Sequence, residues 1–110
     1  MSKESPIIPV YEKVVYISHA YGGDPSNKEK VEKTIRLLQM RHPSYLFISP
    51  IHAFGFLYDN VTYEAGLDMC LYLMGICEEV WVIGEEKSKG VKREIKHAKI
   101  LGIPVYQKPM

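Results

Sequence analysis

One carboxylate in the sequence occupies a position where a charge is costly. Glu94 lies in a predicted helix whose buried face is marked by apolar residues at helical spacing, namely Val91, Ile95 and Ala98. At about 100° per residue, Glu94 is only about 60° from Val91 on the helical wheel. A carboxylate at the edge of a buried face needs a partner or a substrate that offsets its lost hydration. Glu94 is therefore the first candidate for a catalytic residue.

The residues before this helix predict a strand followed by a glycine-containing loop. Residues 80–83 form a short apolar run of β-favouring residues, which Gly84 ends. Ser88 stands where a helix N-cap belongs, and Gly90 would let a ligand approach the first turn closely. Both residues are therefore candidate ligand-binding residues beside Glu94.

A second candidate region follows the first predicted strand. Ser18, His19, Tyr21 and Gly22 belong to a loop before a predicted helix N-terminus, where free N–H groups favour anions. The loop resembles a phosphate or sugar cradle, although it lacks the spacing of dinucleotide-binding and Walker loops. Tyr21 is its most informative member, because the ring can stack and the hydroxyl can donate a hydrogen bond. A flexible Gly-Gly turn into a capped helix is the alternative interpretation.

Two histidines and one acidic residue extend the candidate set. His19 and His52 both follow strands, and each could titrate near neutral pH or ligate a metal. They lack matching carboxylates, so no metal site is predicted. Asp68, on the flank of the second predicted helix, could reach Glu94 and a substrate if that helix begins at the same sheet edge. A solvated flank is the alternative for Asp68.

The predicted elements alternate in the order β-α-β-α-β-α-β. Short apolar runs predict strands at residues 13–18, 45–49, 80–83 and 104–107. Capping signals predict helices from residue 25 to about 41, from about 61 to 75–77, and from 89 to 101. Residues 50–60 are predicted as a long loop, and loops of this length tend to be functional.

This alternation predicts an α/β fold. We expect a three-layer Rossmann/flavodoxin-like sandwich, with helices on both faces of a mainly parallel sheet of four to five strands. Right-handed crossovers bring every strand-to-helix loop to one edge of such a sheet. Ligands of these sheets bind outside the carboxyl ends of the strands. The site is therefore predicted at the loops of residues 18–23, 50–60 and 84–90.

Length and composition bound the remaining possibilities. The 110 residues predict one domain, residues 1–110, in which residues 1–12 form a loose leader. A net charge of +1 with 25% charged residues predicts no nucleic-acid polymer as partner. No apolar run approaches the ~20 residues that span a bilayer, so no membrane partner is predicted. A homo-oligomer is expected, because so small a sheet has limited means of enclosing a substrate alone.

The cysteines and the first residues of the chain indicate its compartment. Cys70 and Cys77 lie about two turns apart on one face of an apolar helical segment. We interpret them as core thiols in a reducing environment, in preference to a disulfide or a metal site. The start of the sequence is short and mostly polar and does not resemble a signal peptide. A cytoplasmic protein is therefore predicted.

Three stretches of the sequence carry a resemblance to a known family. They are VYISHAYGG near the start, ISPIHAFGF in the middle and CEEVWVIGEEKSKGVKREIKHAKILGIPV near the end. From Lys13 onward, the chain resembles the small, often phage-associated proteins of the DUF4406 family, which is similar to nucleoside 2-deoxyribosyltransferases. The resemblance lies in the order of a strand, a Ser-aromatic-Gly loop, and the motif S-x-G-x-x-x-E after a Trp-containing strand.

The resemblance implies chemistry at the N-glycosidic bond of a nucleoside or nucleotide. In the transferases, the glutamate of the last motif attacks the anomeric carbon, and it corresponds to Glu94 here. Tyr21, Ser88 and Gly90 would then position sugar or phosphate. A second base as acceptor would make the protein a transferase, and water would make it a hydrolase. No cofactor is implied, because displacement at this carbon needs none.

The resemblance also leaves a second interpretation open. Gly84 stands where the transferases usually carry a carboxylate, with Glu85 next to it. Asp68 or Glu85 would have to hold the substrate hydroxyls or the base instead. A non-catalytic module that binds a nucleotide or an ADP-ribose-like signal in the same pocket is therefore the alternative function.

Overall fold

In the part of the chain that the structure describes, the sheet has four parallel strands. The computed structural model describes residues 10–84 and 87–108. Its strands are β1 (Lys13–Ser18), β2 (Tyr45–Ile48), β3 (Glu79–Ile83) and β4 (Val105–Lys108), in the order β2-β1-β3-β4. In the sheet register, Tyr16 of β1 lies between Ile48 of β2 and Val80 of β3. The predicted parallel sheet is confirmed.

Each α-helix begins after a residue whose side-chain oxygen caps it. The helices are α1 (Pro25–Arg41), α2 (Pro50–Phe54), α3 (Tyr63–Met74) and α4 (Lys89–Leu101). Their N-caps are Asp24, Ser49, Thr62 and Ser88, and each cap oxygen accepts a hydrogen bond from an N–H of the first turn. Helix α4 ends at Gly102, whose φ of +74° is the left-handed conformation that favours glycine.

Part of the stretch predicted as a long loop is helical. Residues 50–54 form α2, and a 3-10 helix (Gly55–Leu57) follows directly. The loop prediction is wrong for these residues because Ser49 and Pro50 repeat the cap-then-proline signal that starts α1. Only residues 58–62 remain as a turn, and α3 begins at Tyr63, slightly later than predicted.

The strands bury both of their faces under helices. One face packs Val15, Ile17 and Trp81 against α1 and α2. The other face packs Tyr16, Val80 and Val82 against α3 and α4. Cys77 is buried and Cys70 is half-buried on this second side, and both thiols are free. The predicted three-layer α/β architecture is confirmed.

The helices are short, and two of them are strongly charged on their outer faces. The longest, α1, has 17 residues and carries charges of both signs. Over the ranges 10–84 and 87–108, no helix is both long and apolar enough to cross a membrane.

Candidate functional site

A cavity of about 660 Å³ opens at the carboxyl edge of the sheet, between the segments that follow β1 and β3. In the sheet, β1 pairs with β2 on one side, and β3 pairs with β4 on the other side. Ligands of open α/β sheets bind at such a point, where the strand order changes direction. The lining residues are His19, Ala20, Tyr21, Gly22, Asn27, Pro50, Ile51, Phe54, Gly55, Leu57, Tyr58, Val61, Thr62, Tyr63, Gly66, Leu67, Met69, Cys70, Ser88, Lys89, Gly90, Val91 and Glu94.

Glu94 lines this cavity with only 6% of its surface exposed. The Tyr16 hydroxyl donates a hydrogen bond to Oε2 of Glu94, and the Ser18 hydroxyl donates to Oε1 at 2.9 Å. Tyr16 and Ser18 are two residues apart on β1, so they point to the same face of the sheet. Val91 and Ala98 pack α4 against that face and so bring Glu94 to both donors. The predicted burial of Glu94 beside the loop after β1 is confirmed.

The carboxyl group of Glu94 titrates near neutral pH. Burial raises the pKa of Glu94 to about 7, and the hydrogen bonds from Tyr16 and Ser18 oppose this rise. Burial and the charge of Glu94 raise the pKa of Tyr16 well above its ordinary value, so its hydroxyl remains a donor. Burial, with the charge of Glu94, also raises the pKa of the Cys70 thiol to about 11. Glu94 is thus the group of this cluster whose charge changes near pH 7.

Two of the tyrosines that line the cavity form an aromatic wall. The rings of Tyr21 and Tyr58 meet edge to face, with centroids 5.5 Å apart and planes at 78°. Two glycines permit this arrangement. A Cβ at Gly23, where φ is +75°, would lie 2.8 Å from the Tyr58 ring, and a Cβ at Gly55 would lie 3.2 Å from the Tyr21 ring. A side chain at either glycine would therefore displace a ring of the wall.

The first turn of α4 forms the rim of the cavity nearest to Glu94. The Ser88 hydroxyl accepts a hydrogen bond from the Val91 N–H at 3.0 Å. A Cβ at Gly90 would lie 3.3 Å from the Tyr63 hydroxyl, so the glycine lets this tyrosine approach the helix. Lys89 Nζ lies 5.4 Å from the centroid of the Tyr63 ring, within the range of a cation–π contact. Backbone N–H groups, a cation and an aromatic ring therefore meet at this rim.

The structure brings together most of the residues that the sequence selected. Cavity-lining positions are occupied by His19, Tyr21, Gly22, Ser88, Gly90 and Glu94. Ser18 is fully buried and reaches the site through its hydrogen bond to Glu94. The Nδ1 atom of His19 lies 2.6 Å from the carbonyl oxygen of Ala20, so the ring is held close to its own loop.

Two of the selected residues, Asp68 and His52, lie elsewhere. Asp68 is exposed on α3 and does not line the cavity, because it is turned away from buried Leu67. His52 lies on α2 and faces α1, where its Nε2 is 3.1 Å from Oε2 of Glu32 and its Nδ1 is 2.7 Å from the Ser49 hydroxyl. Glu85 lies outside the described residues. The predicted roles of these three residues stay predictions.

Sequence reasoning missed Tyr16 and two of the cavity tyrosines, Tyr58 and Tyr63. The signal for Tyr16 was present, because Tyr16 and Ser18 are polar residues at alternate positions of an otherwise apolar strand. Tyr58 and Tyr63 flank a turn whose course depends on tertiary packing, and they carry no comparable local signal. Within the described ranges, no group of three or more His, Cys, Asp or Glu side chains could hold a metal ion.

The fold is that of the 2-deoxyribosyltransferases. A structure of 2-deoxyribosyltransferase from the psychrotolerant bacterium Bacillus psychrosaccharolyticus matches with a TM-score of 0.66 and 17% identity, over 87% of this chain and 72% of that one. The 2-deoxyribosyltransferase from Leishmania mexicana matches with a TM-score of 0.64 and 15% identity, over 88% of this chain and 64% of that one. The chain thus spans less than two thirds of the second structure.

The chain belongs to the family described as Domain of unknown function (DUF7768), whose model matches residues 13–108. None of the curated proteins matches the sequence. The two structural matches confirm the expected likeness to nucleoside 2-deoxyribosyltransferases at the level of the fold. The resemblance to the DUF4406 family and its association with phages stay predictions.

Proposed function

We propose that this protein acts on the N-glycosidic bond of a nucleoside or nucleotide and that Glu94 is its nucleophile. The observation that carries the proposal is a buried carboxylate that lines a cavity and is held by two hydroxyl donors on β1. Glu94 has no salt-bridge partner among the described residues, and a buried carboxylate in that state is costly to the fold, which favours a role in chemistry. The shared fold of two 2-deoxyribosyltransferases supports the same assignment.

The chemistry follows from the charge of the carboxylate. As the bond between the anomeric carbon and the base nitrogen breaks, its electron pair leaves with the base and positive charge develops on the sugar. Ionised Glu94 offsets this charge and forms an ester bond to the anomeric carbon. Attack by water or by a second base on that carbon then releases Glu94. Water gives hydrolysis, and a second base gives transfer.

The donors on β1 prepare Glu94 for this role. Tyr16 and Ser18 each hold one carboxylate oxygen, so the orientation of the group is fixed before substrate arrives. Both donors stabilise the ionised form and lower the pKa that burial alone would produce. Tyr21, Ser88 and Gly90 lie where they could position the sugar or its phosphate. No cofactor is part of the proposal.

A substrate panel tests this function. The protein would be incubated with the common nucleosides, deoxynucleosides and their 5′-monophosphates, with and without an added second base, and the products separated by chromatography. We expect release of free base from at least one member, and a new nucleoside if the protein is a transferase. Intact protein mass after rapid quenching would detect the sugar ester on Glu94. Failure of every substrate to release base would overturn the proposal.

A binding module for a nucleotide or an ADP-ribose-like signal is the second candidate. The size of the cavity, about 660 Å³, favours it, because such a volume suits drug-sized ligands larger than a nucleoside. Calorimetry with nucleotides and ADP-ribose distinguishes the two candidates. Tight binding of a ligand that is recovered intact would support the module, whereas release of base supports the enzyme.

We also propose that the protein self-associates through the segment between β2 and α3. Phe56 is 77% exposed, and Tyr58, which belongs to the aromatic wall of the cavity, is 46% exposed. Large apolar side chains exposed together are typical of interaction surfaces. Light scattering at micromolar concentration should report an oligomer, and Phe56→Ser should weaken it. A monomer in the unmodified protein would contradict this proposal.

A further inference from the structure

The outer face of α4 carries one sign of charge. Its exposed cations are Lys89, Lys92, Arg93, Lys96 and Lys99. At about 100° per residue, all five lie within roughly one third of the helix circumference, opposite the buried residues Val91, Glu94 and Ala98. Among the residues that the structure describes, none of the five forms a salt bridge with a carboxylate. We name these five residues the α4 stripe.

This charge pattern works against the stability of the helix. Lys89 and Arg93, and likewise Lys92 and Lys96, are like-charge neighbours at i and i+4, which repel each other on a helix surface. Cations near a helix N-terminus also oppose the helix dipole. A face that serves only solubility usually mixes both signs. The cations of the α4 stripe repel one another and have no carboxylate partner in the described chain. This combination indicates an anionic ligand.

Helix α1 shows the contrast within the same chain. Its exposed cations Lys28, Lys30 and Lys33 alternate with Glu29 and Glu32. Further along the helix, Arg36 lies 3.7 Å from Glu32 in an i,i+4 ion pair. The net charge of +1 therefore conceals an uneven distribution, with a mixed surface on α1 and a purely cationic one on α4.

The α4 stripe begins at the rim of the cavity. Lys89 lines the cavity and lies over the ring of Tyr63, and the positive charge of Arg93 acts on the same tyrosine. From there the stripe runs about 15 Å along the helix, since ten residues rise about 1.5 Å each. One phosphate group cannot cover that length, whereas several consecutive phosphates of a strand can. The cavity itself offers Tyr21, Tyr58 and Tyr63 as stacking surfaces.

We infer that the α4 stripe binds the phosphate backbone of a single-stranded nucleic acid, one nucleotide of which enters the cavity. A cationic track beside aromatic side chains is the arrangement by which proteins hold single strands. A base can enter a cavity of this kind only when it is not paired in a duplex. The part of the inference that seats a nucleotide in the cavity rests on the proposed function, whereas backbone binding by α4 does not.

Fluorescence anisotropy with a labelled oligothymidylate tests the inference. The oligonucleotide has about ten nucleotides, a length within the usual site sizes for single strands. The test variant is K92E/R93E/K96E on α4, and the matched control is K28E/K30E/K33E on α1, which makes the same change of charge. Circular dichroism would establish that both variants fold. The unmodified protein should bind more weakly as salt rises, with a log–log slope of about −2 if three phosphates are neutralised. The α4 variant should bind at least about tenfold more weakly, whereas the α1 variant should retain its affinity.

Several other results would overturn the inference or separate it from the proposed function. Equal loss of affinity in both variants, or binding that ignores salt, would overturn the inference. Binding of anionic phospholipid vesicles or polyglutamate in preference to the oligonucleotide would also overturn it. Base release from free nucleosides without oligonucleotide binding would sink the inference and leave the proposed function standing. Oligonucleotide binding through α4 without any base release would overturn the proposed function and the seating of a nucleotide in the cavity, and it would leave backbone binding by α4 standing.

Discussion

Two glutamates of this protein are equally buried and yet chemically different. Glu94 on α4 is 6% exposed, and Glu79 at the start of β3 is 7% exposed. Glu79 forms a salt bridge with Lys13 and accepts a hydrogen bond from the Trp81 indole N–H at 2.9 Å. Glu94 has two hydroxyl donors and, among the described residues, no cationic partner in contact.

The partners of Glu79 reverse the effect of burial on its pKa, whereas those of Glu94 do not. Burial acts to raise the pKa of Glu79, but Lys13 and Trp81 outweigh it and hold that pKa below its ordinary value. Burial dominates at Glu94 and raises its pKa to about 7. Glu79 is therefore a fixed charge at the amino end of the sheet, whereas Glu94 changes its charge near neutral pH beside a cavity. Burial of a carboxylate does not by itself indicate a functional site, and the nature of its partners distinguishes the two cases.

The largest expected effect separates the two glutamates by turnover. Glu94→Gln keeps the shape of the side chain but removes the charge that offsets positive charge on the sugar, so turnover should fall on the order of a hundredfold or more. Glu79→Gln should leave turnover unchanged, because Glu79 does not line the cavity. Base release measured at saturating substrate compares both variants with the unmodified protein.

If both variants lose turnover equally, the proposed functional difference between Glu94 and Glu79 is wrong, since loss of either glutamate would then act through the fold. The proposed difference is also wrong if Glu94→Gln retains full turnover. In that case Glu94 would only brace the start of α4, and the variant would differ in melting temperature alone.

For Glu94, though not for Glu79, this contrast could be read in part from the sequence. The spacing of Glu94 relative to Val91 and Ala98 predicted its burial, and the cap at Ser88 predicted where α4 begins. The donors of Glu94 were not predicted, because they come from a strand 76 and 78 residues away and depend on which sheet face α4 covers. The same dependence explains Asp68, whose orientation follows from how α3 packs and not from its local sequence.

The second prediction concerns stability as a function of pH. Between its ordinary pKa of 4.5 and its folded pKa of about 7, Glu94 is ionised in the unfolded chain but keeps its proton in the folded one. The folded state then binds more protons, so the free energy of unfolding falls as pH rises through this window, by on the order of 3 kcal/mol. Glu94→Gln lacks this penalty. The free energy of unfolding of the variant, relative to that of the unmodified protein, should therefore be higher at pH 8 than at pH 5.

Denaturant unfolding at pH 5 and pH 8 measures this difference, and other titrating groups cancel between the two proteins. Glu79→Gln should keep the same gap to the unmodified protein at pH 5 and pH 8, because the stability that a depressed pKa contributes is lost only as pH falls below the ordinary value of 4.5. An equal gap between Glu94→Gln and the unmodified protein at both pH values would mean that Glu94 is ionised at pH 5.

The third prediction is a pH–rate profile with a single limb near neutrality. A nucleophile must be ionised, so turnover should fall about tenfold for each pH unit below the pKa of Glu94 and level off above it. The midpoint is expected at about pH 7. Initial rates from pH 5 to pH 9 give the profile. A rate that rises as pH falls would show that Glu94 acts as an acid instead.

The fourth prediction concerns the two hydroxyl donors of Glu94, whose loss should have the smallest effect. Tyr16→Phe removes a hydroxyl that stabilises ionised Glu94, so the pKa of Glu94 should rise and the midpoint of the pH–rate profile should move upward. A hydrogen bond to a charged group contributes about 1.5 to 3 kcal/mol, which corresponds to roughly one to two pH units. Turnover at pH 7 should then fall, while turnover on the alkaline plateau stays close to that of the unmodified protein.

The matched control is Trp81→Phe, which removes the indole donor of Glu79 and should leave the midpoint in place. If Tyr16→Phe lowers turnover by the same factor at every pH, Tyr16 supports the substrate or the fold and does not tune the pKa of Glu94. The difference between the pKa values of the two glutamates must then come from burial and from Lys13 and Trp81 beside Glu79.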